Sequence, residues 1–349
     1  MEANFVRYLM NFNVPVGTSR GEMEVRETWF LFIKENGRLG MGECGMLKGL
    51  SCDDRPEFLE KLQWVCDHIE MGETALYEAM REYPSIQFGI EQAFLSFYSP
   101  HPGLLFPSAF TAGKESIPIN GLLWMGKPTF IRKQFDEKVT HFPCVKMKVG
   151  ALNFQSELDL LTEFRAQYPP DQLEIRLDAN GAFTPENVEE RLAQLAEFSI
   201  HSIEQPIRPK QFDLMRDLCQ MSPIPIALDE ELIGIFDRED KEKLLDTIQP
   251  QYIILKPSFV GGFRGSQEWI DLANERNIGW WITSALESNV GLNAIAQWTY
   301  TLGSSMAQGL GTGSLYLNNF QSPLTIKEGH LWHHDLNDWD AFVWNEKSN

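Results

Sequence analysis

The chain has 349 residues, 43% of them hydrophobic, with 49 acidic and 30 basic side chains and a net charge of −19. That length exceeds one ordinary core and suits about two domains. The acidic balance argues against nucleic acid or an anionic membrane as partner, and no apolar stretch approaches the roughly 20 residues that span a bilayer. The first residues, Met1-Glu2-Ala3-Asn4-Phe5, do not read as a signal peptide. The five cysteines include no C-x-x-C pair and read as reduced thiols, so the expected location is cytoplasmic. The sequence leaves the oligomeric state open and is compatible with a homo-oligomer.

Residues 4–50 read as a β meander. Thr28–Ile33 is rich in aromatic and β-branched types, and Asn36-Gly37 is a type I′ hairpin signal. A polar, glycine-bounded loop is expected between the first two strands at Gly17–Gly21. Apolar spacing predicts helices over 55–71 and 86–98. Residues 1–112 are thus expected to form an α+β capping domain.

From Ile117 the pattern becomes strand, helix, strand, helix. Ile117–Leu123 is the first strand candidate. Five short apolar runs follow, then Gly279–Ser284 and Met306–Gly313, giving eight. Helical spacing lies between most of them, as in Val188, Leu192 and Leu195. Eight such units predict a (β/α)8-type barrel over 113–314. The tail, 315–349, is expected to pack back on the capping domain through Trp332, Trp339, Phe342 and Trp344.

The five middle runs each end in charge. Their order is Lys146/Lys148, Asp178, Glu204, Asp229 and Lys256, at steps of roughly 25–30 residues, the length of one strand-plus-helix unit. Barrel enzymes place their chemistry at the carboxyl ends of the strands. Lys146 and Lys148 share one face of a strand, as do Asp178 and Asn180. Three carboxylates about 4 Å apart repel by roughly 4 kcal/mol per pair at an effective dielectric near 20, which a cation relieves. Oxygen-only ligands favour Mg²⁺, with Mn²⁺ as a substitute. Repulsion from Lys146 would lower the pKa of Lys148 and suit it as a general base. A base beside a metal fits removal of a proton α to a carboxylate, with Lys256 opposite. The expected partner is therefore a small-molecule carboxylate.

At these residues the chain resembles the enolase superfamily, whose use of a Lys or His base with Mg²⁺ is well known. The Lys-x-Lys pair and the later lysine resemble the muconate-cycloisomerase subgroup. No histidine lies between residues 202 and 329, where the mandelate-racemase subgroup would need one. The resemblance implies Asp178, Glu204 and Asp229 as metal ligands, Lys148 as acid/base catalyst and Lys256 across the substrate. It also implies that Asn180 and Glu230 orient ligands, with Lys146 in a similar supporting or substrate-binding role.

Within that subgroup, Leu177–Phe183, Thr283–Ser288 and Gly309–Gly313 look most like the o-succinylbenzoate synthase family, the dehydratases of menaquinone synthesis. Dipeptide epimerases carry Asp-x-Asp on the last strand, where this chain has Gly311-Thr312-Gly313. Ser284, Gly311 and Thr312 thus become candidates for holding a substrate carboxylate. The resemblance implies a syn elimination in which Lys148 removes the α-proton and returns it to the departing hydroxyl. N-acylamino-acid racemase, dipeptide epimerase and cycloisomerase activities use the same machinery and stay open, as does a non-enzymatic barrel with a structural metal. The loops at 17–21 and 45–49 are expected to close over the substrate. Glu287 and Ser288 suit either substrate contact or capping of the next helix. His330-Leu331-Trp332-His333-His334 has metal-like spacing but no carboxylate pattern and reads as surface structure. Gly309-x-Gly311-x-Gly313 lacks the spacing of a dinucleotide site.

Overall fold

The computed structural model describes residues 1–18 and 21–334. Trp339, Phe342 and Trp344 lie outside the described residues. The chain opens with an antiparallel meander of β1 (Glu2–Thr18), β2 (Gly21–Glu35) and β3 (Arg38–Cys44). The hairpin between β2 and β3 turns on Asn36 and Gly37 with φ of 50° and 79°, the double positive φ of a type I′ turn. The glycine-bounded loop expected between β1 and β2 is not a separate loop. Both strands run on, pairing Thr18 with Gly21, and residues 19–20 lie outside the described residues.

The helix expected over 55–71 is α1 (Phe58–Asp67) followed by a short 3-10 turn at Ile69–Met71. A further helix, α2 (Glu73–Ala79), precedes α3 (Pro84–Tyr98). Pro84 starts α3, where its missing N–H costs nothing. Helix α3 is buried along almost its whole length. It lies directly on β3, and glycine permits the approach: a Cβ on Gly42 would overlap the Gly89 carbonyl. Trp29, Leu31, Leu62, Ile90 and Phe94 belong to the core beneath.

The barrel is a parallel sheet of seven named strands among the described residues. They are β5 (Gly121–Leu123), β6 (Cys144–Lys148), β7 (Glu174–Asp178), β8 (Ser202–Glu204), β9 (Ile226–Leu228), β10 (Tyr252–Leu255) and β11 (Gly279–Ile282). The eighth position is filled by a stretch too short to be a regular strand. Thr283 bridges Gly309, and Gln308 bridges Ile119, so Gln308 and Gly309 link the last strand to the first. The expected strand at Met306–Gly313 is therefore reduced to two bridging residues.

The expected strand at Ile117–Leu123 divides. Gly121–Leu123 joins the barrel, while β4 (Ser116–Pro118) pairs with a tail hairpin, β12 (Leu324–Lys327) and β13 (His330–His333). Before that hairpin the tail runs along β1: Asn13 N donates to Leu315 O, and Leu317 N to Asn11 O, both at 2.8 Å. Helices α4 (Pro128–Val139), α5 (Phe154–Gln167), α6 (Val188–Ala196), α7 (Phe212–Met221) and α8 (Arg238–Ile248) surround the barrel. They are followed by α9 (Pro257–Val260), α10 (Gly262–Glu275) and α11 (Asn289–Thr301). On α6, Val188, Leu192 and Leu195 are the buried stripe, at the i, i+4, i+7 spacing of one helix face. No helix among the described residues is long and apolar enough to cross a membrane.

His333 is not a surface residue. It is fully buried against Phe110, and neither ring nitrogen has a hydrogen-bond partner. Burial lowers its pKa from the ordinary value to about 4. The unfolded chain therefore binds this proton at higher pH than the folded one. The resulting stability is complete above pH 6.5 or so and is lost as pH falls toward 4, by roughly 3 kcal/mol. His333→Phe should flatten that limb in urea unfolding at pH 4–7, whereas an unchanged slope would show that His333 does not set it.

Candidate active site

Alternation on the strands decides which side chains face the barrel axis. On β6, Val145 and Met147 join the apolar layer, while Lys146 and Lys148 point the other way. Register then aligns the charges. Lys148 is opposite Asp178, and Asp178 is opposite Glu204. Lys148 Nζ donates to Asp178 Oδ2 at 2.9 Å and to Asn180 Oδ1 at 2.5 Å. Lys146 Nζ donates to Glu204 Oε2 at 2.8 Å and lies 3.4 Å from Asp178 Oδ2. Lys256 donates to Asp229. Asn180 Nδ2 donates to Glu230 Oε1 at 2.9 Å. Asp178 thus sits against both ammonium groups of the Lys-x-Lys pair, and its charge offsets their mutual repulsion.

Two turns beyond the acids hold unusual backbone: Asn180 has φ 43° and Gln205 φ 38°. Asparagine tolerates this region better than most residues. Gln205 is held there by its side chain, which donates to Glu231 Oε2 and Ile207 O and accepts from Asp229 N.

These groups border a cavity of about 630 Å³ between the meander and the barrel mouth. Its lining includes Lys146, Lys148, Asp178, Asn180, Glu230 and Lys256, with Ser284, Gly311 and Thr312 on the side of the last strands. Met46, Leu47, Lys48 and Gly49 of the 45–49 loop cover it from the meander. Six lining side chains among the described residues are cations and three are acids. In a chain of net charge −19 this is a local positive field that draws in an anion.

Residues 131–336 match the enolase C-terminal domain-like family, and residues 1–97 match the MenC N-terminal domain. The chain is 42% identical to o-succinylbenzoate synthase of Desulfotalea psychrophila, over 95% of this chain and 98% of that one. The chain belongs to the o-succinylbenzoate synthase family of the enolase superfamily. The crystal structure of MenC from Desulfotalea psychrophila superposes with a TM-score of 0.85 at 40% identity, covering 95% of this chain and 99% of that chain. The muconate lactonizing enzyme of Pseudomonas fluorescens shares the fold, with a TM-score of 0.82 at 19% identity over 97% and 95% of the two chains.

Members of the enolase superfamily depend on a divalent metal. Among the described residues, no three acidic, imidazole or thiol groups stand close enough together to hold an ion as they are. The ammonium groups instead lie against the acids. Three observations nonetheless fit a hard cation. The acids supply only oxygen donors. Glu204 is fully buried, and its Oε1 has no partner. Burial pushes the Glu204 carboxyl up to about 7 against the pull of Lys146, and Asp178 and Asp229 add to that rise. Burial would also raise Asp178, but Lys148 and Lys146 outweigh it and hold that carboxyl well below the usual range. Burial and then Asp229 raise Glu230 to about 7.

The last strands supply a hydrogen-bond chain that the sequence does not reveal. Thr312 Oγ1 donates to Ser284 Oγ at 2.9 Å, and Ser284 Oγ donates to Glu287 Oε2 at 2.7 Å. The Thr312 hydroxyl is therefore spent on Ser284 rather than free to donate to a ligand. Ser288 caps α11, with its side chain accepting from Val290 N. Glu43 joins this network from β3, accepting from Ser288 N and Oγ and from Gly291 N. Glu43 and Arg26 carry no motif and stand far from the barrel in sequence, so only the fold brings them here.

Lys146 is the main counter-charge to Glu204, and both are buried. Lys146→Met should destabilise the metal-free protein by about 3–5 kcal/mol, the cost of an unpaired buried charge. Urea unfolding in EDTA would measure it. A loss under about 1 kcal/mol would show that this ammonium does not carry the charge of the acids.

Proposed function

We propose that this protein is a metal-dependent lyase, an o-succinylbenzoate synthase. It would dehydrate 2-succinyl-6-hydroxy-2,4-cyclohexadiene-1-carboxylate to 2-succinylbenzoate in menaquinone biosynthesis. One observation carries this reading: the 42% identity to such a synthase, spanning nearly the full length of both chains. The charged layer facing one cavity supports it. In this reading residues 1–112 and the returning tail form the cap, and 113–314 the barrel that carries the chemistry.

Lys148 is the acid/base group. As the neutral amine, its Nζ, positioned by Asp178 and Asn180, takes the proton from the ring carbon bearing the carboxylate and becomes an ammonium. The same ammonium then gives that proton to the hydroxyl leaving from the same face, and water departs as the ring becomes aromatic. Mg²⁺, or Mn²⁺ in its place, held by Asp178, Glu204 and Asp229, would stabilise the negative charge developing on the substrate carboxylate. Lys256 stays a fixed cation on the other side. Burial works against its charge, but Asp229 and Glu230 outweigh burial and raise its pKa. Lys146 holds Glu204, and Asn180 and Glu230 hold each other.

The test is the ultraviolet absorbance change as the cyclohexadiene aromatises. With Mg²⁺ the protein should turn the substrate over, and EDTA should abolish turnover until Mg²⁺ is restored. Lys148→Ala should lower turnover by roughly 10²–10⁴-fold. Near-normal turnover in that variant would remove Lys148 as the base, and no turnover by the unaltered protein would remove the synthase reading.

A further inference from the structure

Asn120 carries a side-chain amide that opens on the cavity without a protein partner. It stands just before β5 and is only 4% exposed, yet it lines the cavity. Its backbone is fixed, because Asn120 N donates to Gln308 O at 3.0 Å in the link that closes the barrel. Leu122, two residues on, is in register with Lys146, so Asn120 and Lys146 face the same interior. Among the described residues the Asn120 side chain makes no hydrogen bond, and neither of its amide atoms is sealed from the cavity. Water in the open cavity serves such a group. A ligand that fills the cavity displaces that water and must replace its hydrogen bond.

The other polar side chains of the barrel mouth differ. Asn180, Thr283, Ser284 and Thr312 also line the cavity, and each already donates to a protein group. Lys146, Lys148 and Lys256 are matched by Glu204, Asp178 and Asp229. Asn120 is a neutral donor and acceptor with neither function in use. The sheet order puts its strand on the side of β6 away from β7, so it stands apart from the acids. Leu122 and Trp124 continue the same strand face and line the cavity as apolar wall. A polar ligand atom brought against that wall loses water and gains most by meeting the amide.

We infer that Asn120 binds the ketone of the substrate's succinyl arm, its Nδ2 donating to the carbonyl oxygen. This rests on the synthase reading above, in which the ring carboxylate lies at the lysine-rich strand ends and the departing hydroxyl faces Lys148. The ketone and the far carboxylate of the arm are then the polar groups still to be placed. The ketone is joined directly to the ring, so it stays close to the reacting carbons. It is uncharged, and a neutral amide suits it, whereas a carboxylate gains more from a charged donor. The contact stops the ring from turning in the cavity and keeps the carbon that loses its proton before Lys148 Nζ. Asn120 is here a substrate-binding and specificity residue and moves no proton. A substrate without the ketone leaves its amide unpaired.

Calorimetry with Mg²⁺ present compares 2-succinylbenzoate with 2-(3-carboxypropyl)benzoate, in which a methylene replaces the ketone. The unaltered protein should prefer the ketone by about 5–50-fold, the effect of one buried donor left unpaired. Asn120→Leu, close in size but apolar, should bring that preference below about 2-fold while binding of the methylene compound changes little. A purely structural Asn120 would weaken both ligands alike and leave the ratio intact, which overturns the assignment. So does a preference below about 2-fold in the unaltered protein. A third ligand, 2-butanoylbenzoate, keeps the ketone and lacks the far carboxylate. Should Asn120→Leu erase the preference for 2-succinylbenzoate over this compound instead, Asn120 holds the carboxylate and the ketone assignment falls. Should Asn120→Leu fail to fold, an undiminished ketone preference in Asn120→Ala is the overturning result. Turnover of the cyclohexadiene by the unaltered protein separates the two claims. Turnover with an undiminished ratio in the variant removes the role of Asn120 alone, whereas no turnover removes the synthase reading and this assignment with it.

Discussion

The mouth of this barrel is organised by the need to bury charge. Lys146, Lys148, Asp178, Glu204, Asp229 and Lys256 are all largely withdrawn from water. None could be buried singly without a large penalty. Parallel strands in register place three acids side by side with ammonium groups within hydrogen-bond reach of them, so each ion pair supplies the solvation its members have lost. The arrangement is tolerable as a set and intolerable in parts. It therefore ties the integrity of the barrel mouth to the residues proposed to do the chemistry.

The same constraint extends into the cap. Glu43 at the end of β3 reaches across to the start of α11 and satisfies three donors there. Glycine-on-glycine contact between β3 and α3 packs the cap's own helix against its meander. Tyr77 and Glu91, on α2 and α3, make comparable links to Gly261, Phe263 and Arg264 around the start of α10. Cap and barrel are thus joined by buried polar groups, a kind of contact whose geometry is fixed by hydrogen-bond direction. That fixes the position of the 45–49 loop and of Arg26 relative to the lysines.

Regular elements were legible where period and burial agreed. The runs ending at Lys148, Asp178, Glu204, Asp229 and Lys256 are short, apolar and bounded by charge or breakers, and they became strands or strand ends. The difficult places were those where tertiary pairing overrode local pattern. Ile117–Leu123 is one apolar run, but the tail hairpin claims its first half and the barrel its second. Gln308 and Gly309 close the barrel through two bridges, a role no local propensity encodes. His333 looked like part of an exposed histidine cluster, and strand alternation in β13 put it inside.

By itself the sequence determined the chemical character of the site. Charges that follow apolar runs at a strand-plus-helix interval must meet at one end of a parallel barrel, because period and register leave them nowhere else to go. That was enough to expect the acids and the lysines to gather at one barrel mouth, as they do. Only the tertiary structure decided which donors are free. Thr312 and Ser284 looked available and are bonded to each other, while Arg26 carried no signal and proved to be buried with two nitrogens unused. Hydrogen-bond saturation depends on what lies within about 3 Å in space, and for these residues the deciding neighbours come from strands and loops distant in the chain.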